Sequence, residues 1–211
     1  RQALSCGMRE RRENMDYKYK FSVVIPVYNV EGYLAETLDS VIRQSIGFEN
    51  NIQIILVNDG SPDDSEKICL EYAKKYPDNI LYLKQENKGV SAARNYGMQY
   101  VEGKYVNFLD SDDKWTSGSF QAVYDFFEKR RDKIDLVACP QKFFEARDDY
   151  HWLFFKYEQG SRIIDVLEKY NYVQMHVTAS FVKAEVLKTH RFDEKLKFAE
   201  DSKFVNSIIL D

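Results

Sequence analysis

The sequence predicts an α/β domain built on a central, mostly parallel sheet. Three observations carry that expectation. Short apolar runs alternate with helix-patterned segments over the first two thirds of the chain. The runs FSVVIP (21–26) and IQIILV (52–57) are continuously apolar, as buried strands are. A polar loop follows the strands: VYN after the first, NDGSPDD after the second, DSDD after the fourth. In open α/β sheets ligands bind outside those ends.

The elements follow in order. Phe21 to Pro26 is the first strand, closed by proline. Glu31 to Gln44 carries Leu34, Leu38, Val41 and Ile42 at helical spacing. Ile52 to Val57 is the second strand. Asn58 to Pro62 is a turn, and Asp63 or Asp64 caps a helix through Lys75. Ile80 to Lys84 is a third strand and Gly89 to Tyr100 a third helix. Lys104 to Leu109 is a fourth strand, Ser119 to Arg131 a helix, and Asp135 to Pro140 a further strand. Beyond Phe143 the pattern loosens. His151 to Glu158 reads as strand or core-lining loop, Ile163 to Tyr170 as helix, and Thr178 to Val182 as strand. Glu200 to Asp211 reads as a helix that reaches the last residue without a cap, as in a trimmed domain. Arg1 to Lys20 lacks periodicity and is expected to be a flexible arm or an upstream extension.

Composition sets bounds. The 211 residues suit one large domain. Net charge is −4, so no global basic field points to nucleic acid. The 15 Tyr and 14 Phe favour a well-filled core and ring platforms for a ligand. Cys6, Cys69 and Cys139 are scattered, odd in number and without metal spacing, which suggests a reducing, cytoplasmic setting. No apolar run is long enough for a bilayer, and no leader is evident.

Four stretches could carry chemistry. DSDD places Asp110, Asp112 and Asp113 within four residues. Two like charges about 4 Å apart cost roughly 4 kcal/mol at an effective dielectric near 20. Water offsets that cost if the loop is merely exposed; a hard divalent cation does so if it is a site. NDGSPDDS is turn chemistry, or it sets Asp59 at a strand end to accept hydrogen bonds. KGVSAARNYG is a capped helix packed closely through Ala92 and Ala93, or a diphosphate-facing helix start with Arg94. Glu200 and Asp201 complement a helix dipole, or supply a general base behind Phe198. The dipole would keep Asp201 ionised and weakly basic. His176 and His190 lack partner spacing and read as structural.

In order, FSVVIPVYN, IILVNDGSPDDS, NKGVSAARNYG, YVNFLDSDDKW and FAEDSKF closely resemble the family 2 glycosyltransferases of the GT-A fold. The resemblance runs from about Phe21 to the end. It implies a three-layer α/β/α sandwich, with a nucleotide-binding half at about 21–113 and an acceptor-side half at about 114–211. Pro26, Val27, Tyr28 and Asn29 would border the nucleotide, and Asp59 its base. Lys88 and Arg94 would lie near base and diphosphate. Asp110 and Ser111 would contact the donor, with Asp110 and Asp112 as the metal pair for Mg²⁺ or Mn²⁺. Asp201 would be the catalytic base, with Glu200 and Asp113 in support. The implied reaction moves a sugar from a nucleotide-diphosphate donor, with UDP expected, to a glycan or lipid-linked hydroxyl, with inversion. A peripheral place at the inner membrane face is compatible with that.

Two other classes compete. A nucleotidyltransferase would show a Gly-rich, basic loop after the first strand, where this chain has VYNVEGY. A non-catalytic nucleotide-binding module has no need of Asp110, Asp112 and Asp201 together.

Overall fold

The computed structural model describes residues 16–130, 133–144, 160, 162–163 and 176–210. The expected strand or loop at 151–158 and nearly all of the helix expected at 163–170 lie outside them.

The sheet comprises β1 (Tyr19–Val27), β2 (Ile52–Asn58), β3 (Ile80–Lys84), β4 (Gly103–Phe108), β5 (Leu136–Ala138) and β6 (Ser180–Lys183). The helices are α1 (Leu34–Ile42), α2 (Phe48–Asn51), α3 (Ser65–Lys75), α4 (Val90–Met98), α5 (Ser119–Lys129) and α6 (Glu200–Ile209). Strand order is β3-β2-β1-β4-β6-β5. The β1–β2, β1–β4 and β2–β3 pairs are parallel. β6 runs antiparallel to both β4 and β5, so the sheet is parallel with an antiparallel flank.

Two apolar layers sandwich the sheet. On one face Phe21, Val23, Ile25, Ile54 and Leu56 pack on Leu34 and Leu38 of α1 and on Phe120, Val123 and Phe127 of α5. On the other, Val24, Ile55, Val57, Val106 and Phe108 pack on Ala93 and Met98 of α4 and on Phe204 and Val205 of α6. Alternate residues of β1 thus serve opposite faces, as the period-2 geometry of a strand requires. Both faces are covered, so the runs are apolar throughout.

Two sequence expectations are corrected in detail and a third is narrowed. β1 begins at Tyr19, inside the expected arm; that side chain is buried and donates its hydroxyl to the Asp78 carbonyl. α1 is shorter than expected, starting at Leu34, because Val30 to Tyr33 form a turn. Asp64 stands at the N-cap of α3 but makes no side-chain cap bond. Asp63 accepts the Ser65 N–H instead, at 3.2 Å.

The close packing of α4 has a measurable consequence. A Cβ on Gly97 would sit 2.6 Å from Val24 Cγ1 and 3.1 Å from Val57 Cγ2. Both methyls belong to buried strands that cannot give way. Gly97→Ala should lift α4 from the sheet and cost about 1–3 kcal/mol, read as a lower urea midpoint. An unchanged midpoint would mean that α4 is not seated this closely.

β1 and β4 are neighbours, whereas β2 and β3 lie on the far side of β1. The chain changes direction of travel between β1 and β4, which opens a crevice at their carboxyl ends. The loops starting at Tyr28 and at Asp110 emerge there.

Candidate active site

The wall of the crevice is a stitched pair of loops. Asn29 N–H donates to Ser61 Oγ at 2.7 Å, and Val30 N–H to Ser65 Oγ at 3.1 Å. Glu31 N–H donates to Asp63 Oδ2 at 2.9 Å, and Asp64 N–H donates back to Glu31 Oε2 at 2.8 Å. Burial works against the Asp63 anion, but donors from Ser61, Ser65 and Glu31 outweigh it and hold the carboxyl well below its ordinary range. Asn29 itself has a φ of 54°, in the left-handed region where Asn is tolerated. The loop therefore turns sharply outward and leaves Tyr28 half exposed at the mouth. Pro26 and Val27 are buried. What they offer at the crevice is therefore their backbone.

Asp59 is buried at the end of β2. Its Oδ1 accepts Gln85 Nε2 at 2.7 Å and the Lys88 N–H at 2.8 Å, and its Oδ2 accepts the Gly89 N–H at 2.8 Å. The carboxylate thus ties the 85–89 loop, which leads into α4, to the sheet. Gly89 has a φ of 91° there. The Lys88 side chain is exposed.

The acidic loop is anchored from below. Asn107, buried in β4, donates to the carbonyls of Thr178 and Ser180 at 2.9 and 2.8 Å and accepts Trp115 Nε1 at 3.0 Å. Thr37 Oγ1 donates to the Ser111 carbonyl at 2.8 Å, and Asp113 N–H to the Asp110 carbonyl at 3.1 Å. Ser111 is buried beneath the loop, while Asp112 points into solvent. Among the described residues no side chain or N–H hydrogen-bonds or ion-pairs with the Asp112 carboxylate. Burial first, then the charges of Asp110 and Asp112, push the Asp113 carboxyl up to about 6. The repulsion inferred from sequence is present.

The centre of the site is Arg94, in α4 and only 2% exposed. Its Nη2 donates to Asp110 Oδ1 at 2.7 Å and its Nη1 to Asp201 Oδ1 at 2.7 Å. Glu200 lies 3.5 Å from the same Nη1. The guanidinium packs over the Phe192 ring at 5.1 Å. Thr178 Oγ1 donates to Asp110 Oδ2 at 2.8 Å, and Val177 N–H to Asp201 Oδ2 at 3.3 Å. Ala199, at φ 59°, turns the chain into α6 so that Glu200 and Asp201 face inward.

Arg94, expected near base and diphosphate, has both Nη atoms bonded within the protein. Two expectations change here. Asp201, expected to be held ionised and weakly basic by the helix dipole, is raised instead, with burial the largest influence; Arg94 opposes and Asp110 adds to the rise. Phe198 is no wall, because it is 86% exposed. Sequence reasoning missed Thr178, Asn107 and Gln85. Asn107, an amide inside an apolar strand, was the one signal available, since a buried polar side chain needs partners.

Among the described residues no three His, Cys, Asp or Glu side chains converge as a ready-made metal cage. Both oxygens of Asp110 already accept one bond within the protein, whereas the exposed Asp112 carboxylate accepts none among the described residues. One such ligand fits Mg²⁺ or Mn²⁺, because hard ions of this size are held by one or two carboxylates with phosphates and water completing the shell.

Residues 22–191 match the family model described as glycosyl transferase family 2. The chain belongs to that family. This family 2 chain is 51% identical over 193 residues to the minor teichoic acid biosynthesis protein GgaB of Bacillus subtilis, spanning 92% of this chain and 21% of that protein. It is 40% identical to GgaA of the same organism, across 90% of this chain and 43% of that protein. Among solved structures, S. aureus TarS 1–349 superposes with a TM-score of 0.79 at 25% identity, over 90% of this chain and 55% of that one. The same TarS fragment is known with UDP and with UDP-GlcNAc. The family 2 chain thus shares the central, mostly parallel sheet of TarS and spans half or less of GgaB and GgaA. No helix among its described residues is long and apolar enough to cross a membrane.

Proposed function

We propose that this chain transfers a sugar from a UDP-sugar to an acceptor hydroxyl, inverting the anomeric carbon. One observation carries the reading: a donor-side aspartate, Asp110, and an inward-facing aspartate on another segment, Asp201, meet at the crevice between β1 and β4. The UDP and UDP-GlcNAc complexes of TarS support the choice of nucleotide. The names of GgaB and GgaA, minor teichoic acid biosynthesis proteins, support an acceptor in teichoic acid assembly, which we take as a glycan or lipid-linked hydroxyl.

The roles follow from the chemistry. Tyr28 offers a ring at the mouth for the base, and the Asp59-anchored 85–89 loop closes that pocket. Asp110 orients the donor ribose. Asp112, with Asp113 beside it, would hold the divalent ion, which when bound neutralises the departing diphosphate as a Lewis acid. Asp201 accepts the acceptor's proton as its oxygen attacks the anomeric carbon from the face opposite the diphosphate. One attack and one departure invert that centre, with no covalent intermediate. Burial favours this role, because a raised carboxyl pKa makes a better proton acceptor.

The test is calorimetric titration with UDP and GDP in the presence of Mn²⁺. UDP should bind at least tenfold tighter, about 1.4 kcal/mol. Tighter binding of GDP would overturn the donor assignment, and binding of neither would reduce the chain to a fold without this activity.

A further inference from the structure

We propose that Arg94 is a positioning residue: one guanidinium fixes Asp110 and Asp201 relative to each other and never grips the donor diphosphate. The proposal rests on the reading of Asp201 as the base.

The geometry gives three reasons. First, the two Nη atoms are separately committed, Nη2 to Asp110 and Nη1 to Asp201, each at 2.7 Å. A planar fork holds its two partners at a fixed spacing, which a lysine ammonium on a flexible stem cannot do. Second, the side chain is 3% exposed and lies against the Phe192 ring, whose own backbone is pinned by Asn95 on the next position of α4. Reaching out to a phosphate would break two charge-assisted bonds and leave Asp110 and Asp201 facing each other uncompensated. Third, the bridge divides the labour of the Asp201 oxygens. Oδ1 is taken by Arg94, and among the described residues Oδ2 receives only the longer Val177 N–H at 3.3 Å. Oδ2 is therefore the oxygen left to take the proton, and Arg94 stays on the other one throughout.

The arrangement has an electrostatic side. The charged groups facing Asp201 are Arg94 from α4, Asp110 from the end of β4 and Glu200 on its own helix. Among the described residues one cation, Arg94, serves three carboxylates. Loss of its charge should leave Asp201 protonated to higher pH. Loss of its shape alone should misplace the base without moving that pH.

Two variants separate these effects. Arg94→Lys keeps the charge and loses the fork; Arg94→Gln loses both. Hydrolysis of UDP-GlcNAc with Mn²⁺ is followed against pH, and UDP and uridine binding are measured by calorimetry on the same preparations. For Arg94→Lys, kcat should fall about 10²-fold, as expected of a misplaced catalytic group. Any loss of UDP affinity through a displaced Asp110 should be matched by the same loss for uridine, and the acid limb of the pH profile should not move. For Arg94→Gln the limb should move to higher pH, because the opposite charge that favours the anion is gone. If Arg94→Lys or Arg94→Gln weakens UDP tenfold or more and leaves uridine unaffected, Arg94 grips the diphosphate and the proposal fails. The binding arm decides this even where hydrolysis is too slow to follow. Asp201→Asn in the same assay keeps the two readings apart: wild-type turnover there sinks the base, while the Arg94 result stands on binding.

Discussion

Asp112→Asn is expected to abolish Mn²⁺-dependent binding of UDP while the fold stays intact. Asp112 is exposed and hydrogen-bonds to no other described residue, so the amide disrupts no internal contact. Its charge works against the protein, since it and Asp110 raise Asp113. Neutralising it should leave stability within about 0.5 kcal/mol of the parent, as at most surface positions. Affinity is another matter. An ion that Asp112 would help to hold beside the diphosphate would lose that protein anchor when the carboxylate becomes an amide. Several kcal/mol of charge stabilisation pass through such an ion, so affinity should fall on the order of 10²-fold or more. Titration of UDP with and without Mn²⁺, beside a urea curve, reads both halves. A variant whose UDP affinity still rises with Mn²⁺ to the wild-type extent would remove Asp112 from the metal site.

The contrast between Asp112 and Arg94 shows what the sequence made legible. The strands of the parallel half were readable because both sheet faces are covered, which forces runs such as Ile52–Val57 to be wholly apolar. The crevice was readable because each polar loop follows such a run. The antiparallel insertion of β6 between β4 and β5 was not, because a four-residue strand carries no mark of its partner's direction. Residue types at the site were readable; their partners were not. Arg94 and Asp201 are 107 positions apart, and nothing local ties them. Helix-dipole reasoning described Asp201 as a stabilised, weakly basic anion. It failed because desolvation by the packed elements around α6 is a long-range property of the fold. Asp59 is the same lesson in miniature. A strand-end aspartate was legible as an acceptor, but the donors are Gln85, Lys88 and Gly89, from the loop its own carboxylate organises.

Asp201→Asn should lower turnover by a factor on the order of 10²–10⁴, with UDP affinity within about threefold of the parent. The amide keeps the shape and can still accept from Arg94 Nη1 through its oxygen. It cannot take a proton from the acceptor hydroxyl. Nothing places Asp201 against the nucleotide, so donor binding should survive. Glu200→Gln should be milder, because Glu200 sits 3.5 Å from Arg94 and only supplements the bridge. The pH profile of the parent gives an independent check. Burial raises the Asp201 carboxyl in the folded protein, so its neutral form persists to higher pH than in a free aspartate. The neutral form is inactive as a base, so turnover should be lost as pH falls through that raised value, above the ordinary aspartate range of about 3.9. Asp201→Asn should erase that acid limb along with most of the rate. A variant that kept wild-type turnover while binding UDP tightly would place the base elsewhere. His176, exposed one residue before Val177, would then be the next side chain to replace.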